Sequence, residues 1–396
     1  MKDLSSEQKE IIITKFAVIK TIDELAELLN LIYTFLFPNA KPSKKSKIIH
    51  FQARTLNYLA FSKEKRYNEF QIPKKKTGEF RTISAPIYTL KTIQRCLNAI
   101  LNCIFTPHKA ANGFVEDKSI LTNAAKHVAK NFVYNIDLEG FFPNTNFRRI
   151  KTVLGLEPFS LIGEREELGF IIANLCCENG CLPQGAPTSP TLTNAVCQRL
   201  DRKLYKLAKQ NSANYTRYAD DITFSSNRPI FTIEFKNEIN KIVKEENYAI
   251  NLSKERLQDK IVRQEVTGVI VNQKLNVTRQ YIRELDLRLK IWKKYGYSEA
   301  NSKFEEQYRN SNGFLRNKGK IPPMESVLWG KIQFLGMIRG HNDTTYQRYC
   351  DIYKNDCLAK STPSGIVPTK SLDLSDLQKL LNIWEQNGLD KAINLT

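Results

Sequence analysis

Three aspartates are the residues of this sequence whose type and spacing could do chemistry. Asp220 and Asp221 are adjacent in YTRYADDITF, where strand-like arms flank a turn, so a carboxylate should project from the tip of a β-hairpin. Asp137 ends an apolar strand in NFVYNIDLEGFFPN. Adjacent acids in a turn are often only solvated turn residues. The third acid, at a strand end, favours a shared site.

Carboxylates that converge repel one another unless a cation lies between them. Transfer of a phosphoryl group to a 3′-hydroxyl uses two divalent ions about 3.5–4 Å apart, one at the attacking oxygen and one at the leaving pyrophosphate. Mg²⁺ prefers carboxylate oxygens and retained waters as ligands. Asp137, Asp220 and Asp221 therefore predict a site for two magnesium ions, with Mn²⁺ able to substitute, and nucleotidyl transfer as its chemistry.

The charge of the chain indicates a polyanionic partner. Its 396 residues include 60 Lys and Arg against 41 Asp and Glu, a net charge of +19. Such an excess attracts nucleic acid through phosphate neutralisation and counterion release; a basic surface kept for solubility is the simpler alternative. The length exceeds that of one ordinary core, so we expect two or three subdomains that can enclose a cleft.

Apolar stretches and cysteines indicate the compartment. The first residues, MKDLSSEQKE, lead into no signal-like apolar segment, and the longest apolar stretches, such as 28–37, are shorter than a membrane span. We therefore expect a cytoplasmic protein without a membrane partner. Of the eight cysteines, Cys176, Cys177 and Cys181 cluster without the paired spacing of a zinc site. They are interpreted as reduced, mostly buried thiols.

The hydrophobic pattern predicts the elements that position these acids. Strands or hairpins are predicted where apolar and polar residues alternate, over 70–86, 132–137, 215–224 and 266–277. Helices are predicted where apolar residues recur at helical spacing, over 21–33, 51–61, 88–105, 188–208, 230–247, 278–353 and 374–387. Thr21 and Glu24 predict a capping box, and Thr77-Gly78 the turn of the first hairpin. This alternation is typical of an α+β fold.

The motifs resemble those of a known family. The Tyr-Ala-Asp-Asp sequence at 218–221 resembles the YxDD box of reverse transcriptases. Asp137, followed closely by two phenylalanines, resembles their first catalytic motif. The segment LPQGAPTSP, 182–190, resembles the loop and helix start that contact the incoming nucleotide and the template in this family. The order of the motifs matches, and the resemblance extends from about residue 67 to about residue 353.

Two further motifs resemble signatures of the bacterial retron reverse transcriptases. The sequence NAAKH, from Asn123 to His127, is similar to their NAxxH motif, and Val266-Thr267-Gly268 is similar to their VTG motif. One lies before the first aspartate and the other follows the YADD sequence, as in the family. The resemblance implies RNA-binding or template-binding roles for residues of these motifs, namely Asn123, His127, Val266, Thr267 and Gly268.

The resemblance implies an α+β fold of the right-hand polymerase type, with fingers, a palm made of an antiparallel sheet backed by helices, and a helical thumb. It divides the chain into an N-terminal helical region (1–66), fingers and palm (67–277), thumb (278–355) and a C-terminal extension of unknown role (356–396). Arg279 and Arg283 open the basic helical part and would track the phosphates of the template duplex.

The resemblance also assigns roles around the three aspartates. Phe142 would close the sugar pocket against a ribose 2′-hydroxyl, and Lys254 would protonate the departing pyrophosphate. Gln184 and Gly185 would contact the incoming nucleotide, because Gly185 lets the backbone approach closely. Basic residues of the first hairpin would grip the triphosphate; they are Lys74, Lys75, Lys76 and Arg81. Which of the three lysines does so stays open.

A retron enzyme would copy part of its own noncoding RNA from the 2′-hydroxyl of an internal guanosine, using deoxynucleoside triphosphates. The product would be a branched RNA-linked single-stranded DNA, called msDNA, in a bacterial anti-phage system with an effector protein. One alternative is another bacterial reverse transcriptase, of the group II intron or diversity-generating type. A viral RNA-dependent RNA polymerase fits less well because of Phe142. A catalytically silent nucleic-acid-binding scaffold is the alternative from another class.

Overall fold

A computed structural model of the chain describes residues 4–38, 50–62, 66–74, 79–311, 313, 317 and 319–358. These residues fall into two compact units, one within 1–70 and 82–267 and the other within 71–81 and 268–396. Outside the described residues lie the predicted 374–387 helix, all but three residues of the predicted 356–396 extension, and the Thr77-Gly78 turn. The fold class is α+β, as predicted.

Within the described residues, ten α-helices belong to the first unit. They are α1 Ser6–Val18, α2 Ile22–Leu36, α3 Ala53–Phe61, α4 Tyr88–Ile104, α5 Ile120–Ala125, α6 Phe147–Gly155, α7 Glu166–Cys176, α8 Ser189–Val196, α9 Gln198–Gln210 and α10 Ile233–Glu245. The predicted capping box of α2 is confirmed, because Glu24 N donates to Thr21 Oγ1 and Thr21 N donates to Glu24 Oε2. The helix predicted over 188–208 is divided into α8 and α9 at Cys197.

A four-stranded antiparallel sheet organises the first unit. Its strands are β3 Phe132–Asp137, β4 Asn214–Tyr218, β5 Asp221–Ser226 and β6 Arg256–Asp259, in the order β4-β5-β3-β6. Strands β3, β4 and β5 are buried along most of their length, because helices cover the sheet. The predicted strand at 132–137 is confirmed, and the 215–224 segment is a hairpin with Ala219-Asp220 at its turn.

The main apolar core of the first unit lies between its N-terminal helices and the helices that follow. Helix α2 buries Leu25, Leu29 and Ile32 on one face, and α4 buries Ile93 and Leu97 toward the same cluster. Burying each such side chain contributes about 1.5–3 kcal/mol. The periodic pattern that predicted these two helices is therefore the pattern of their packing.

The first hairpin is observed where it was predicted. It consists of β1 Tyr67–Pro73 and β2 Phe80–Pro86, and Lys74 N donates to Glu79 O at 2.8 Å near its end. Within the segment predicted as strands or hairpins over 266–277, β7 Glu265–Val266 pairs with β8 Val269–Ile270, and Ile270 forms a further antiparallel bridge with Asn276. Thr267 (φ 47°) and Gly268 (φ 83°) adopt left-handed conformations that reverse the chain between β7 and β8.

The second unit is helical beyond β8, as the sequence predicted. Its helices are α11 Arg279–Arg309, α12 Met324–Arg339 and α13 Thr344–Asp351, followed by a π-helical turn, Ile352–Leu358. Helix α11 kinks at Gly296, whose φ is 83°. The ring of Trp292 packs edge-on against Tyr353, and Trp329 stacks on the same tyrosine. These aromatic contacts join α11 and α12 to the last turn.

The cysteines agree with the sequence prediction of reduced, mostly buried thiols. All eight cysteines are free, and five of them are buried. Burial raises the pKa of the Cys176 thiol to about 12, so this thiol is protonated and inert at neutral pH. In the part of the chain that the structure describes, no helix combines the length and the apolar character needed to cross a bilayer.

Candidate active site

Strand pairing brings the three aspartates to one end of the sheet. Asp137, the last residue of β3, is the direct partner of Asp221, the first residue of β5. Ile136 pairs with Ile222 one step further in, and both are buried. Because this apolar pair fixes the register, the two carboxylates are held at the same sheet edge. Asp220 precedes β5 in the turn, where its carbonyl accepts from Leu138 N at 3.0 Å.

The turn that carries Asp220 is strained and closely packed. Ala219 has a φ of 54°, a left-handed conformation that costs a residue with a Cβ about 1–2 kcal/mol. Its carbonyl accepts from Arg217 Nη1 at 3.1 Å. A Cβ built on Gly113 would lie 2.5 Å from Ala219 N. Only glycine at 113 therefore permits this approach, and the surrounding atoms hold the turn in its unusual shape.

Arg217 forms a fully buried ion pair behind the turn. Its Nε donates to Asp201 Oδ1 at 2.8 Å and its Nη2 to Asp201 Oδ2 at 2.6 Å. Nη2 also donates to Asn194 Oδ1 at 3.0 Å, and Tyr215 donates its hydroxyl to Asp201 Oδ1 at 2.7 Å. Burial opposes the charge of Arg217, but Asp201 outweighs it and raises the pKa of Arg217. The pair links α8 and α9 to the catalytic turn.

The sequence reasoning missed this network and the loop beside it. Arg217 N donates to Ala110 O at 2.9 Å, and Asn112 N donates to Arg217 O at 2.7 Å. The loop containing Ala110 and Asn112 therefore lies along β4 like a short extra strand. The available signal was a charged residue, Arg217, inside a predicted strand next to the Asp-Asp pair.

Lys254 is bound directly to one of the aspartates. Its Nζ donates to both carboxylate oxygens of Asp137, each at 2.9 Å. The 3₁₀ turn Leu252–Lys254 positions it, and Asn251 N anchors the start of that turn by donating to Asp137 O at 2.8 Å. Partial burial opposes the charge of Lys254, but its bond to Asp137 outweighs burial and raises the pKa of the ammonium. Lys254 is therefore protonated at neutral pH.

The negative charges at this sheet edge act on one another. Desolvation of the carboxyl, followed by the charges of Asp220 and Asp137, raises the pKa of Asp221 to about 7. Lys254 and Arg256 lower it by smaller amounts. Because Asp221 as a whole is exposed to solvent, we attribute most of the shift to the neighbouring carboxylates. A cation bound among them would remove this repulsion.

The donor set suits a hard divalent cation in its chemistry. Reverse transcriptases as a family use divalent metal ions, and carboxylate oxygens are the ligands that such ions prefer. The side chains of Asp137, Asp220 and Asp221 do not converge as a ready metal cage, and within the described ranges no three His, Cys, Asp or Glu side chains do. In this arrangement the ammonium group of Lys254 supplies the positive charge next to the Asp137 carboxylate.

Phe142 lies beyond Asp137 with its ring partly exposed. It packs edge-on against Phe141 at 5.4 Å between ring centroids and lies 6.3 Å from Phe114. Phe141 is buried and stacks on Tyr248, so it belongs to the core. Of the two phenylalanines, Phe142 is therefore the one with a ring face open to a ligand.

The loop before α8 is bound to the first hairpin. Ser84 N donates to Gln184 O at 2.9 Å. Gly185 has a φ of 132°, and a Cβ built on it would lie 2.8 Å from Ser84 O. The close approach that Gly185 permits here is thus to β2. Helix α8 begins within one residue of the predicted start; the Thr188 side chain makes no capping bond, and Ser189 Oγ donates to Pro183 O.

The basic residues of the hairpin tip are only partly described. Lys74 Nζ forms an exposed ion pair with Glu79 Oε2 at 2.9 Å, and Arg81 is exposed on β2. Lys75 and Lys76 lie outside the described residues. On α11, Arg279 and Arg283 are exposed. Roles for these residues in binding remain predictions.

The NAxxH residues face the interior, which corrects their expected role. His127 is fully buried; its Nδ1 lies 2.7 Å from Ser225 Oγ and its Nε2 2.7 Å from Thr216 Oγ1. Burial, followed by the charges of two lysines, lowers the pKa of His127 to about 3, so the ring is neutral. Asn123 is also buried. Neither side chain can reach RNA in this conformation, and His127 instead joins β4 to β5.

The VTG residues contact the same region. Asn123 Nδ2 donates to Thr267 Oγ1 at 3.4 Å, which joins the two signature motifs. Val266 is fully buried, so its side chain cannot bind RNA here either. Thr267 is partly exposed and Gly268 is exposed, and RNA binding by these two stays a prediction.

Comparisons with known proteins identify the family. The profile described as reverse transcriptase (RNA-dependent DNA polymerase) matches residues 72–271. The retron Mx162 reverse transcriptase of Myxococcus xanthus is 36% identical over 57% of this chain and 52% of its own length. The retron Ec86 reverse transcriptase of Escherichia coli is 31% identical over 62% of this chain and 75% of its own.

A third relative and a solved structure complete the comparison. The retron Mx65 reverse transcriptase of Myxococcus xanthus is 37% identical over 54% of this chain and 53% of its own. The matches thus span about half the length of the two Myxococcus relatives. An apo telomerase structure from Candida tropicalis covers 60% of this chain and 63% of its own, at 11% identity and a TM-score of 0.39, too low for any inference. By its sequence relatives, the chain belongs to the bacterial retron reverse transcriptases.

Proposed function

We propose that this chain is an RNA-directed DNA polymerase, a nucleotidyltransferase that extends a DNA strand on an RNA template. The observation that carries this proposal is the direct pairing of Asp137 with Asp221, next to the turn that carries Asp220. An acidic edge of this kind is unfavourable for a protein that only binds phosphates, because like charges repel. It is useful to an enzyme that gathers cations at a reacting phosphate.

Asp137, Asp220 and Asp221 would hold two Mg²⁺ ions, and Mn²⁺ could replace them. When bound, the ions would activate the 3′-hydroxyl and neutralise the charge of the leaving pyrophosphate. The raised pKa of Asp221 supports this assignment, since it reports uncompensated negative charge at the site. The chain's own contribution is to fix the three carboxylates through the β3–β5 register and the Ala219 turn.

Lys254 would donate a proton to the departing pyrophosphate. Its raised pKa keeps it protonated, and its contact with Asp137 places it at the acidic edge. A general acid must lie within hydrogen-bond reach of the group it protonates. Triphosphate contacts would come from the first hairpin, through one or more of Lys74, Lys75 and Lys76 together with Arg81.

Sugar selection would depend on Phe142. Its ring is held by Phe141 and Phe114 and keeps one part exposed. A ring fixed in this way leaves no room for a ribose 2′-hydroxyl, so deoxynucleotides would be selected. Gln184 and Gly185 would contact the incoming nucleotide from a loop that β2 holds in place.

The template would be a structured noncoding RNA, and the product msDNA. Family membership supports this finer proposal. We assign 1–66 to the N-terminal helical region, 67–277 to fingers and palm, 278–355 to the thumb and 356–396 to an extension of unknown role. Arg279 and Arg283 would track the phosphates of the duplex. The setting would be anti-phage defence in the bacterial cytoplasm, with an effector protein as a further partner.

Primer extension tests the proposed activity. With deoxynucleotides, Mg²⁺ and an RNA template, the chain should extend a DNA primer, and Asp220→Asn should reduce the rate by at least about 10³-fold. Glu238→Gln, which removes an exposed carboxylate on α10, is the matched control and should extend normally. Product from Asp220→Asn at the control rate would refute the metal assignment. No product from the unmodified chain would favour a binding scaffold.

A further inference from the structure

A basic groove lies at the end of the β4–β5 hairpin that is far from the aspartates. It consists of two adjacent depressions of about 210 and about 290 Å³ that share Asn214, the first residue of β4. Asn214 is fixed there because its Nδ2 donates to Lys126 O at 2.7 Å. We call this feature the β4 groove. Its charged and aromatic lining residues are Lys109, Lys126, Lys130, Lys209, Arg228, Tyr205 and Tyr215.

The described lining of the β4 groove is positively charged. Among the residues that the structure describes, it contains five cations and no Asp or Glu, and it includes neutral serines and asparagines such as Ser212 and Asn227. The charges act on their surroundings, since Lys126 and Lys130 help to lower the pKa of His127. Cations gathered in one concavity repel one another. Such a cluster is favourable when an anion occupies it.

Tyr205 shows how closely the cations are gathered. The Nζ of Lys109 lies 4.3 Å from the centre of its ring and the Nζ of Lys209 lies 5.4 Å from it. Hydrogen bonding to Lys109, followed by the charge of Lys209, lowers the pKa of the Tyr205 hydroxyl. Two ammonium groups and a phenol thus face one depression. This combination of point charges, a hydroxyl and an aromatic ring suits phosphates and bases.

We propose that the β4 groove binds the sugar-phosphate backbone of a nucleic-acid strand outside the catalytic cleft, either the copied RNA or its DNA product. The proposal rests on the proposed polymerase function, because that function supplies both strands. Lysine, serine and asparagine side chains make the phosphate and sugar contacts typical of sequence-independent binding. The groove adds affinity and holds the strand without reading its sequence.

The place of the groove in the hairpin separates it from catalysis. Tyr218 pairs with Asp221 at the catalytic end of the hairpin, whereas Asn214 pairs with Ser225 at the groove end. Four residue steps along a strand span about 13 Å. A strand bound in the groove therefore lies a few nucleotides away from the acidic edge. It would be a segment that has left the site or has not yet entered it.

An acidic protein is the other polyanion that the charge alone would admit. Protein interfaces have an apolar centre with charged residues at the rim. The groove lacks such a centre, because its non-polar lining is limited to Ala110 and the rings of Tyr205 and Tyr215. Nucleic acid is therefore the partner that its lining favours.

A binding titration tests the proposal on the full chain. The probes are a labelled single-stranded RNA and a DNA of the same sequence, each long enough to extend beyond the cleft. The variant Lys126→Gln/Lys209→Gln removes two groove cations, and Lys15→Gln/Lys244→Gln removes two exposed cations elsewhere. Losing two phosphate contacts should weaken binding about tenfold at about 0.15 M salt and lower the salt slope by about 1.4.

The outcomes separate the groove from the polymerase. On a primer–template short enough to end within the cleft, the groove variant should extend at the unmodified rate. If the groove variant binds only the RNA probe more weakly, the groove binds the template. If it binds only the DNA probe more weakly, the groove binds the product. Equal losses of affinity for both probes mean that the groove recognises the backbone of either strand. Affinities and slopes equal to those of the control variant would overturn the proposal and favour an acidic protein in the groove.

Discussion

The two ends of the β4–β5 hairpin are held by buried polar groups of opposite character. Near the catalytic turn, Arg217 and Asp201 form a charged pair with bonds of 2.8 and 2.6 Å. Near the other end, a neutral His127 joins Thr216 of β4 to Ser225 of β5. Both groups are fully enclosed, with relative exposures at or near zero. One hairpin therefore uses a buried charge and a buried neutral ring for related tasks.

The difference follows from what each end must hold. At the turn, Ala219 adopts a left-handed conformation, and a guanidinium can donate to its carbonyl, to Asp201 and to Asn194 together. Such a fork of donors fixes a strained backbone. At the far end the strands are regular, and one imidazole between two hydroxyls suffices to hold their register. In this hairpin, the buried charge lies at the end whose turn is strained.

Removing the acid of the charged pair should have the largest effect. Asp201→Ala leaves Arg217 buried without its counterion, which should lower the free energy of unfolding by about 3–5 kcal/mol. Denaturant unfolding measures this, with Glu238→Ala as an exposed control. The double variant Asp201→Leu/Arg217→Met should recover most of the stability. Because the double variant lacks the donor to the Ala219 carbonyl, it should extend primers slowly even though it is stable. If Asp201→Ala lowered the free energy of unfolding by less than about 1 kcal/mol, the comparison of the two ends would be contradicted.

Removing the neutral ring should cost less. His127→Ala leaves the hydroxyls of Thr216 and Ser225 unsatisfied and opens a cavity, so we expect a loss of about 2–4 kcal/mol. Since the turn keeps Arg217, the variant that still folds should retain most of its extension rate. A primer-extension rate as low as that of the Asp201→Leu/Arg217→Met variant would show that the two ends of the hairpin do not act independently.

Filling the space beside the turn should have a moderate effect. Gly113→Ala places a Cβ within 2.5 Å of Ala219 N, and overpacking of this kind costs about 1–3 kcal/mol. Because the clash acts on the turn itself, the extension rate should fall more than stability does. Equal stability and rate in Gly113→Ala and the unmodified chain would mean that the loop moves away freely.

Lowering the pH should have the smallest effect on the free energy of unfolding, and it acts on the neutral end of the hairpin through His127. The folded-state pKa of His127, about 3, lies below its unfolded value near 6.5, so its contribution to stability is complete above about pH 6.5 and is lost as the pH falls toward 3. At about pH 5.5 the loss should be about 1.4 kcal/mol. Measuring the free energy of unfolding against pH for the unmodified chain and for His127→Gln isolates the contribution of His127. Identical profiles would contradict a buried neutral histidine.

Local chemistry and pattern predicted the elements that present the acids. Alternation around Asp220 and the apolar run before Asp137 were enough to place Asp220 in a hairpin turn and Asp137 at a strand end, because a strand shows its faces in the sequence. Burial of individual polar residues was not visible in this way. The burial of His127 could not be predicted, because the strands that enclose it lie about 90–100 positions away in the sequence.

The charged pair was equally hidden from sequence reasoning. Asp201 and Arg217 belong to a helix and a strand, and nothing in their spacing indicates that they meet. Gly185 was predicted to let the backbone approach the incoming nucleotide, and the structure shows that the backbone of Ser84 also lies close to it. In each case the missing information was the tertiary partner. Sequence motifs indicated the candidate reacting groups, and only the fold showed which residues hold them.

The loop beside β4 has a consequence for how the chain behaves in concentrated solution. β4 is the outermost strand of its sheet, and an uncovered outer strand invites pairing with another copy and growth of aggregates. Ala110 and Asn112 occupy the backbone groups of Arg217. Lys109, which directly precedes this loop, adds a charge that discourages a second strand from approaching. Deleting the loop should therefore promote aggregation before it abolishes folding.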